Sequence, residues 1–174
     1  MKIARFALVF ILMTGAAFAQ RNDDDFVGQK APELKGDVWI NTAPLKLESL
    51  KGKVVLIEFW AFDCPNCAEA MPHIIGLHKK YAKDGLVVIG VHTPRIDKEK
   101  DIAKVREAVK SKGITYPVVV DNNYSIWSDY ACDAWPNLYL VDQDGVIRLS
   151  HTGVGRYEDI DKTVQKLLAR KPGK

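Results

Sequence analysis

Val54-Val55-Leu56-Ile57-Glu58-Phe59-Trp60 is apolar throughout except for one glutamate, and after Ala61-Phe62-Asp63 it leads into Cys64-Pro65-Asn66-Cys67 and a helix-forming stretch to Lys83. So continuous an apolar run reads as a strand buried on both faces. The two thiols therefore sit where a strand hands over to a helix. In a helix's first turn, residues three apart share a face, with Cα atoms about 5 to 6 Å apart, which is within the span of a disulfide. Such a pair opens and closes with little backbone movement. Cys64 would lie among unpaired N–H groups at the positive end of the helix dipole, which favours thiolate and draws a cysteine pKa below about 8.5. Cys64 is thus the expected attacking sulfur and Cys67 the resolving one.

Outward from this stretch, the helix from Pro65 to Lys83 contains Pro72, an expected kink. Leu86 to Val91 reads as a second buried strand, and Lys98 to Lys112 as an amphipathic helix with Ile102, Val105 and Val109 on one side, closed by Gly113. The run Asp97-Lys98-Glu99-Lys100-Asp101 reads as a solvated helix face. Strand, helix, strand, helix implies parallel pairing. Pro117 to Val120 gives a short strand and Asn123 to Tyr130 a short helix. Leu138 to Val141 and Val146 to Leu149 then flank Asp142-Gln143-Asp144-Gly145, whose Asp-Gly marks a hairpin. Arg156 to Ala169 ends the pattern as a helix with Ile160, Val164, Leu167 and Leu168 facing a core. Asp23 to Pro44, punctuated by Gly, Pro and Asn, reads as a loop wrapping the core, with Val38-Trp39-Ile40 as an edge hairpin. The pattern is α/β with a mixed sheet.

The N-terminus carries Lys2 and Arg5, an uncharged apolar stretch from Phe6, and Ala17-Phe18-Ala19 before polar residues. This has the form of a secretory signal peptide, residues 1–19, cleaved after Ala19, leaving 20–174 as one domain. The apolar stretch is short for the roughly 20 residues of a membrane span. Without Lys2 and Arg5, the 25 basic residues become 23 against 22 acidic ones. A nearly neutral chain with interleaved charges lacks the clustered basic surface of a nucleic-acid binder, so no nucleic-acid partner is expected. Export implies a periplasmic or other extracytoplasmic, oxidising setting, where a cysteine pair could be a mere staple. Closing so short a loop restrains the unfolded chain little.

With these residues in place, the chain resembles the thioredoxin superfamily over residues 26 to 170, and more closely its exported TlpA-like branch and the thioredoxin-like domains of DipZ-type membrane reductases. The residues that carry the resemblance are Glu58-Phe59-Trp60-Ala61, Cys64 to Cys67, Pro72, Val88 to Pro94, Trp135-Pro136-Asn137 and Tyr139 to Gly145. The resemblance implies a thioredoxin-like fold, a central mixed β-sheet flanked by helices, with an N-terminal extension and an inserted helix. It implies a thiol-disulfide oxidoreductase without a cofactor, acting as a monomer on substrate proteins that carry disulfides or dithiols. Its electrons would come from a membrane donor of the DipZ/DsbD type. Glu58 matches the family's buried acid, which desolvation raises toward neutrality so that it exchanges a proton with the resolving thiol; the alternative is a glutamate at a polar edge paired with a lysine. Pro136 matches the family's cis proline. Trp135, with Pro65 and Asn66, would border the groove in which a client's backbone pairs. Two departures stand out: Asp63 replaces the usual Trp before the first cysteine and opposes thiolate formation, and Ala70 stands where TlpA-like proteins often carry glutamate.

Other chemistries compete. Cys64 and Cys67 could hold copper with Met71, His73 or His78 nearby, although the Cys67 to His73 spacing is too short for a zinc finger. A thiol peroxidase would need Thr at position 61, where this chain has Ala61. Cys132 is either a trap for mixed disulfides or a small apolar core residue. His92, at the carboxyl end of a strand, is either a functional group or an imidazole bonded to a carbonyl.

Overall fold

In the computed structural model, residues 26–170 are described. The proposed signal peptide and its cleavage site lie outside them. Six strands form one sheet in the order β1-β4-β3-β2-β5-β6, comprising β1 (Val38–Ile40), β2 (Val54–Trp60), β3 (Leu86–His92), β4 (Val118–Val120), β5 (Asn137–Val141) and β6 (Ile147–Thr152). The β2, β3 and β4 strands run parallel, joined by crossovers through α1 (Pro65–Tyr81) and α2 (Ile102–Ser111). Short α3 (Ser125–Asp129) and terminal α4 (Tyr157–Ala169) complete the helices. All seven β2 residues are buried, because packed side chains cover both faces of the central strand.

Side chains alternate across β2, so this one strand feeds two cores. Val54, Leu56 and Trp60 pack with Cys67, Met71 and Ile74 of α1, Val105 and Val109 of α2, and Ile160 and Val164 of α4. Val55, Ile57 and Phe59 face the other way, onto Leu34, Trp39, Ile126, Tyr130 and Tyr139. Each fully buried aliphatic side chain contributes on the order of 2 kcal/mol. Glu58 shares the face of Leu56 and Trp60 and is therefore buried beneath the helices. The β5–β6 hairpin forms as its Asp-Gly signal indicates. Asp142 accepts the N–H groups of Asp144 and Val146, and Gly145 takes a positive φ of 77°.

Two expectations are corrected. Val38–Ile40 makes no local hairpin; it pairs antiparallel with Val118–Val120 at the edge of the sheet, a long-range partner that a local turn signal cannot reveal. The helix expected from Lys98 to Lys112 is split. Asp97–Lys100 is a single 3-10 turn, and Asp101 then caps α2 by accepting the N–H groups of Ala103 and Lys104. Within the charged run, Glu99 is not solvated but completely buried.

Candidate active site

The turn Ala61 to Asp63 joins β2 to α1, and Cys64 is the N-cap of that helix. Pro65 occupies the first turn, where its missing N–H would have had no partner anyway. Cys64 and Cys67 are disulfide-bonded, with Cα atoms 5.2 Å apart. The Cys67 N–H points at Cys64 Sγ from 3.2 Å, so the helix N-terminus directs a donor at this sulfur. Cys64 is 5% exposed and Cys67 0%; only the former offers an approaching sulfur any surface. Pro65 and Asn66 are exposed beside it. The acidic neighbour Asp63 is ion-paired, its Oδ2 standing 2.6 Å from Lys98 Nζ, and that hydrogen bond holds its carboxyl below the usual range.

The Trp135–Pro136 bond is cis. Pro136 lies next to Asn137, which pairs with Phe59 near the end of β2, so the proline loop borders the end of the sheet that carries the dithiol. The half-buried Trp135 stacks on Trp127 at 4.0 Å, and its Nε1 donates to the Thr93 carbonyl at 3.0 Å. This bond fastens the proline loop to the end of β3.

Glu58 is 1% exposed. Its Oε2 accepts from the Tyr116 hydroxyl at 3.2 Å, and its Oε1 has no hydrogen-bond partner. Burial pushes its pKa up to about 8, against a smaller downward pull from Tyr116. The lysine-paired alternative is not what the fold provides. With Ala70, Ile74, Pro136, His151 and Tyr157, Glu58 lines a cavity of about 10 Å³, roughly the room one water needs. Two residues passed over in the sequence build this environment. Gly90 sits beside Glu58 in the register, and a Cβ there would stand 2.9 Å from Trp60 Nε1 and 3.3 Å from the Tyr116 ring. The bare backbone admits Tyr116. A glycine inside a strand signals such a close approach, whereas nothing local to Tyr116 indicated its contact 58 residues away.

The remaining candidates pack against rings or within the core. His73 stacks on Tyr157 and His78 packs against Tyr116. Among the described residues, no group of three or more His, Cys, Asp or Glu side chains could hold a metal ion. Cys132 belongs to the opposite core, its Sγ 3.7 Å from the Tyr139 hydroxyl. His92 is buried against Trp60 and Phe62, and neither ring nitrogen bonds a carbonyl of another residue. Burial drives its pKa down to about 4. Ala61 is buried, and its carbonyl accepts the Cys64 N–H; its side chain has no hydroxyl to hold a peroxide.

A disulfide-bonded cysteine pair at a helix N-terminus, a cis proline and a buried acid on the central strand mark a thioredoxin-like fold. Residues 27–150 match the AhpC/TSA family, and the chain belongs to it. It is 45% identical over 148 residues to Protein DipZ of Mycobacterium tuberculosis, a match covering 82% of this chain but only 21% of DipZ. The chain thus spans about a fifth of that relative. It is 32% identical over 142 residues to the thiol-disulfide oxidoreductase YkuV of Bacillus subtilis, covering 81% of this chain and 95% of YkuV. Among solved structures, a thioredoxin-like protein in its oxidised form superposes with a TM-score of 0.73 at 34% identity, covering 81% of this chain and 95% of its own. A thiol-disulfide isomerase from Corynebacterium glutamicum does so with 0.71 at 25%, covering 81% and 98%. No helix among the described residues is long and apolar enough to cross a membrane.

Proposed function

We propose that residues 20–174 form one exported domain that reduces disulfides in extracytoplasmic proteins, recharged by a membrane dithiol donor of the kind found in DipZ-type reductases. The observation that carries this reading is the Cys64–Cys67 pair at the head of α1, with the outer sulfur under a backbone donor. In the reduced chain, Cys64 thiolate attacks one sulfur of a client disulfide. A Cys64–client bond forms, the client S–S bond breaks, and the other client sulfur leaves as thiolate. Cys67, deprotonated by Glu58 directly or across one water, then attacks Cys64 Sγ. The client's second sulfur departs, and the Cys64–Cys67 disulfide carries away the two-electron oxidation. A Glu58 pKa of about 8 lies near that of a thiol, which suits a proton passed in either direction. Trp135 and Pro136, with exposed Pro65 and Asn66, border the groove for the client strand.

The test is turnover of insulin disulfides with dithiothreitol as donor. Cys64→Ser should abolish it, and Cys67→Ser should accumulate mixed disulfides at Cys64 that mass spectrometry can map. Full turnover by Cys64→Ser, or adducts confined to Cys132, would end this assignment. Equilibration against glutathione decides the direction: a potential well below that of glutathione marks a reductant.

A further inference from the structure

The mechanism above leaves a second buried carboxylate unused. Glu99 lies in the loop between β3 and α2 and has no exposed surface. Its Oε1 accepts the Asp63 N–H at 2.9 Å, and its Oε2 accepts the N–H groups of Arg95 at 2.5 Å and Ile96 at 3.2 Å. Two more contacts join the same segments. Lys98 Nζ stands 2.6 Å from Asp63 Oδ2, and Arg95 Nη1 donates to the Asp63 carbonyl at 3.2 Å. Thus the N–H, the C=O and the carboxylate of the residue before Cys64 are all held by residues 95–99. Beneath them, the His92 ring stacks on Phe62 at 5.7 Å and meets the edge of Trp60 at 5.0 Å, which supports the turn from below.

We infer that Glu99 is a positioning residue for the dithiol: by fixing the Asp63 N–H it holds Cys64 at the N-cap of α1, where the Cys67 N–H meets its sulfur. This rests on Cys64 being the attacking thiol. A thiolate gains from a helix N-terminus only while its sulfur stays over the free N–H groups, because the dipole's effect falls off within the first turn, and small misplacements of reacting groups have large kinetic effects. The charged and titratable groups around the turn are Asp63, Arg95, Lys98, His92, Glu58 in the strand entering it and, at longer range, Lys112. Replacing a carboxylate by a neutral group near Cys64 would by charge alone lower the thiol pKa, so a rise reports lost geometry.

In the unaltered chain, the Asp63 amide should exchange with deuterium as slowly as the amides of β2, although it lies in a turn. Exchange at the rate of an open turn overturns the inference without any variant. Glu99→Ala should lower kcat/KM for insulin disulfide reduction about tenfold or more, and Glu99→Gln, which keeps one acceptor oxygen, by less. In both, the pH midpoint of Cys64 alkylation should rise while KM stays constant. Asp142→Asn, which loosens Arg148 and Arg170 away from the dithiol, should lower Tm and leave that midpoint unmoved. If Glu99→Ala does not fold, Glu99→Gln and amide exchange carry the test. A midpoint that stays or falls in Glu99→Gln refutes the positioning role. Failure of the underlying mechanism shows differently, as activity retained in Cys64→Ser.

Discussion

Two buried glutamates bracket the turn that presents Cys64, Glu58 in the strand entering it and Glu99 bonded across it, and the fold treats them oppositely. Glu99 has three backbone donors on its two oxygens. Glu58 has a single side-chain donor, the Tyr116 hydroxyl, and an oxygen with none. A buried carboxylate met by several N–H groups is a fastener, since its charge is balanced where it lies. One deprived of donors holds its proton to high pH and can hand it on. On the roles proposed above, the same residue type would supply rigidity on one side of the turn and a mobile proton on the other, with the count of donors deciding which.

Replacing Glu58 tests this contrast most severely. In the oxidised chain its folded pKa of about 8 exceeds the ordinary 4.5, so between those values the folded form binds a proton that the unfolded form has lost. Stability therefore falls as pH rises through that window. His92, lowered from 6.5 to about 4, works the other way, and its contribution is lost as pH falls from 6.5 toward 4. The two effects oppose each other from 4.5 to 6.5, leaving a decline above 6.5 that belongs to Glu58. At about 1.4 kcal/mol per tenfold change in proton affinity, Glu58 removes about 3 kcal/mol between pH 6 and 9, most of it below pH 8. Glu58→Gln should abolish that decline in urea titrations at pH 6 and 9, and reduce turnover about 100-fold by removing the base for Cys67. Parallel stability curves for the two proteins would show that Glu58 is not starved of donors.

Much of this site was legible in the sequence for a physical reason. Buried strands and helix termini are local patterns, so Val54 to Trp60, Cys64, Cys67 and the Asp-Gly hairpin declared themselves. The burial of Glu58 followed from its neighbours, because β2 alternates between two cores and has no wet face. What stayed hidden depends on contacts between distant segments. Glu99 looked like one more charge on a solvated helix, since sequence cannot show that a 3-10 turn folds it inward against Asp63 36 residues away. Pairing of Val38–Ile40 with β4 was invisible for the same reason. His92 broke the expectation that a buried imidazole finds a carbonyl; its surroundings are the rings of Trp60 and Phe62 instead.

Gly90→Ala sharpens the contrast from the packing side. The added methyl would press on Trp60 Nε1 at 2.9 Å and on the Tyr116 ring and Val118 at 3.3 Å, all within buried structure. Overpacking of this kind typically removes about 2 kcal/mol, visible as a lower urea midpoint at pH 6, with the titration of Glu58 displaced as Tyr116 is pushed aside. Unchanged stability would mean that the indole and the phenol can withdraw, and that the environment of Glu58 is not fixed by this notch in β3.

Tyr116→Phe makes the smallest change and the most direct one. It deletes the one hydroxyl that reaches Glu58 while keeping the ring that fills the space over Gly90. Loss of a buried hydrogen bond should lower stability by about 1 kcal/mol. That bond favours the ionised carboxylate and is the one influence drawing the Glu58 pKa downward against burial, so its removal should move the titration further up, as carboxyl carbon NMR of the oxidised chain can follow. The base would then hold its proton more tightly, and the pH optimum of turnover should rise with it. A titration that stays in place or falls would show that Tyr116 does not tune this proton, and that the number of donors around a buried glutamate is not what separates Glu58 from Glu99.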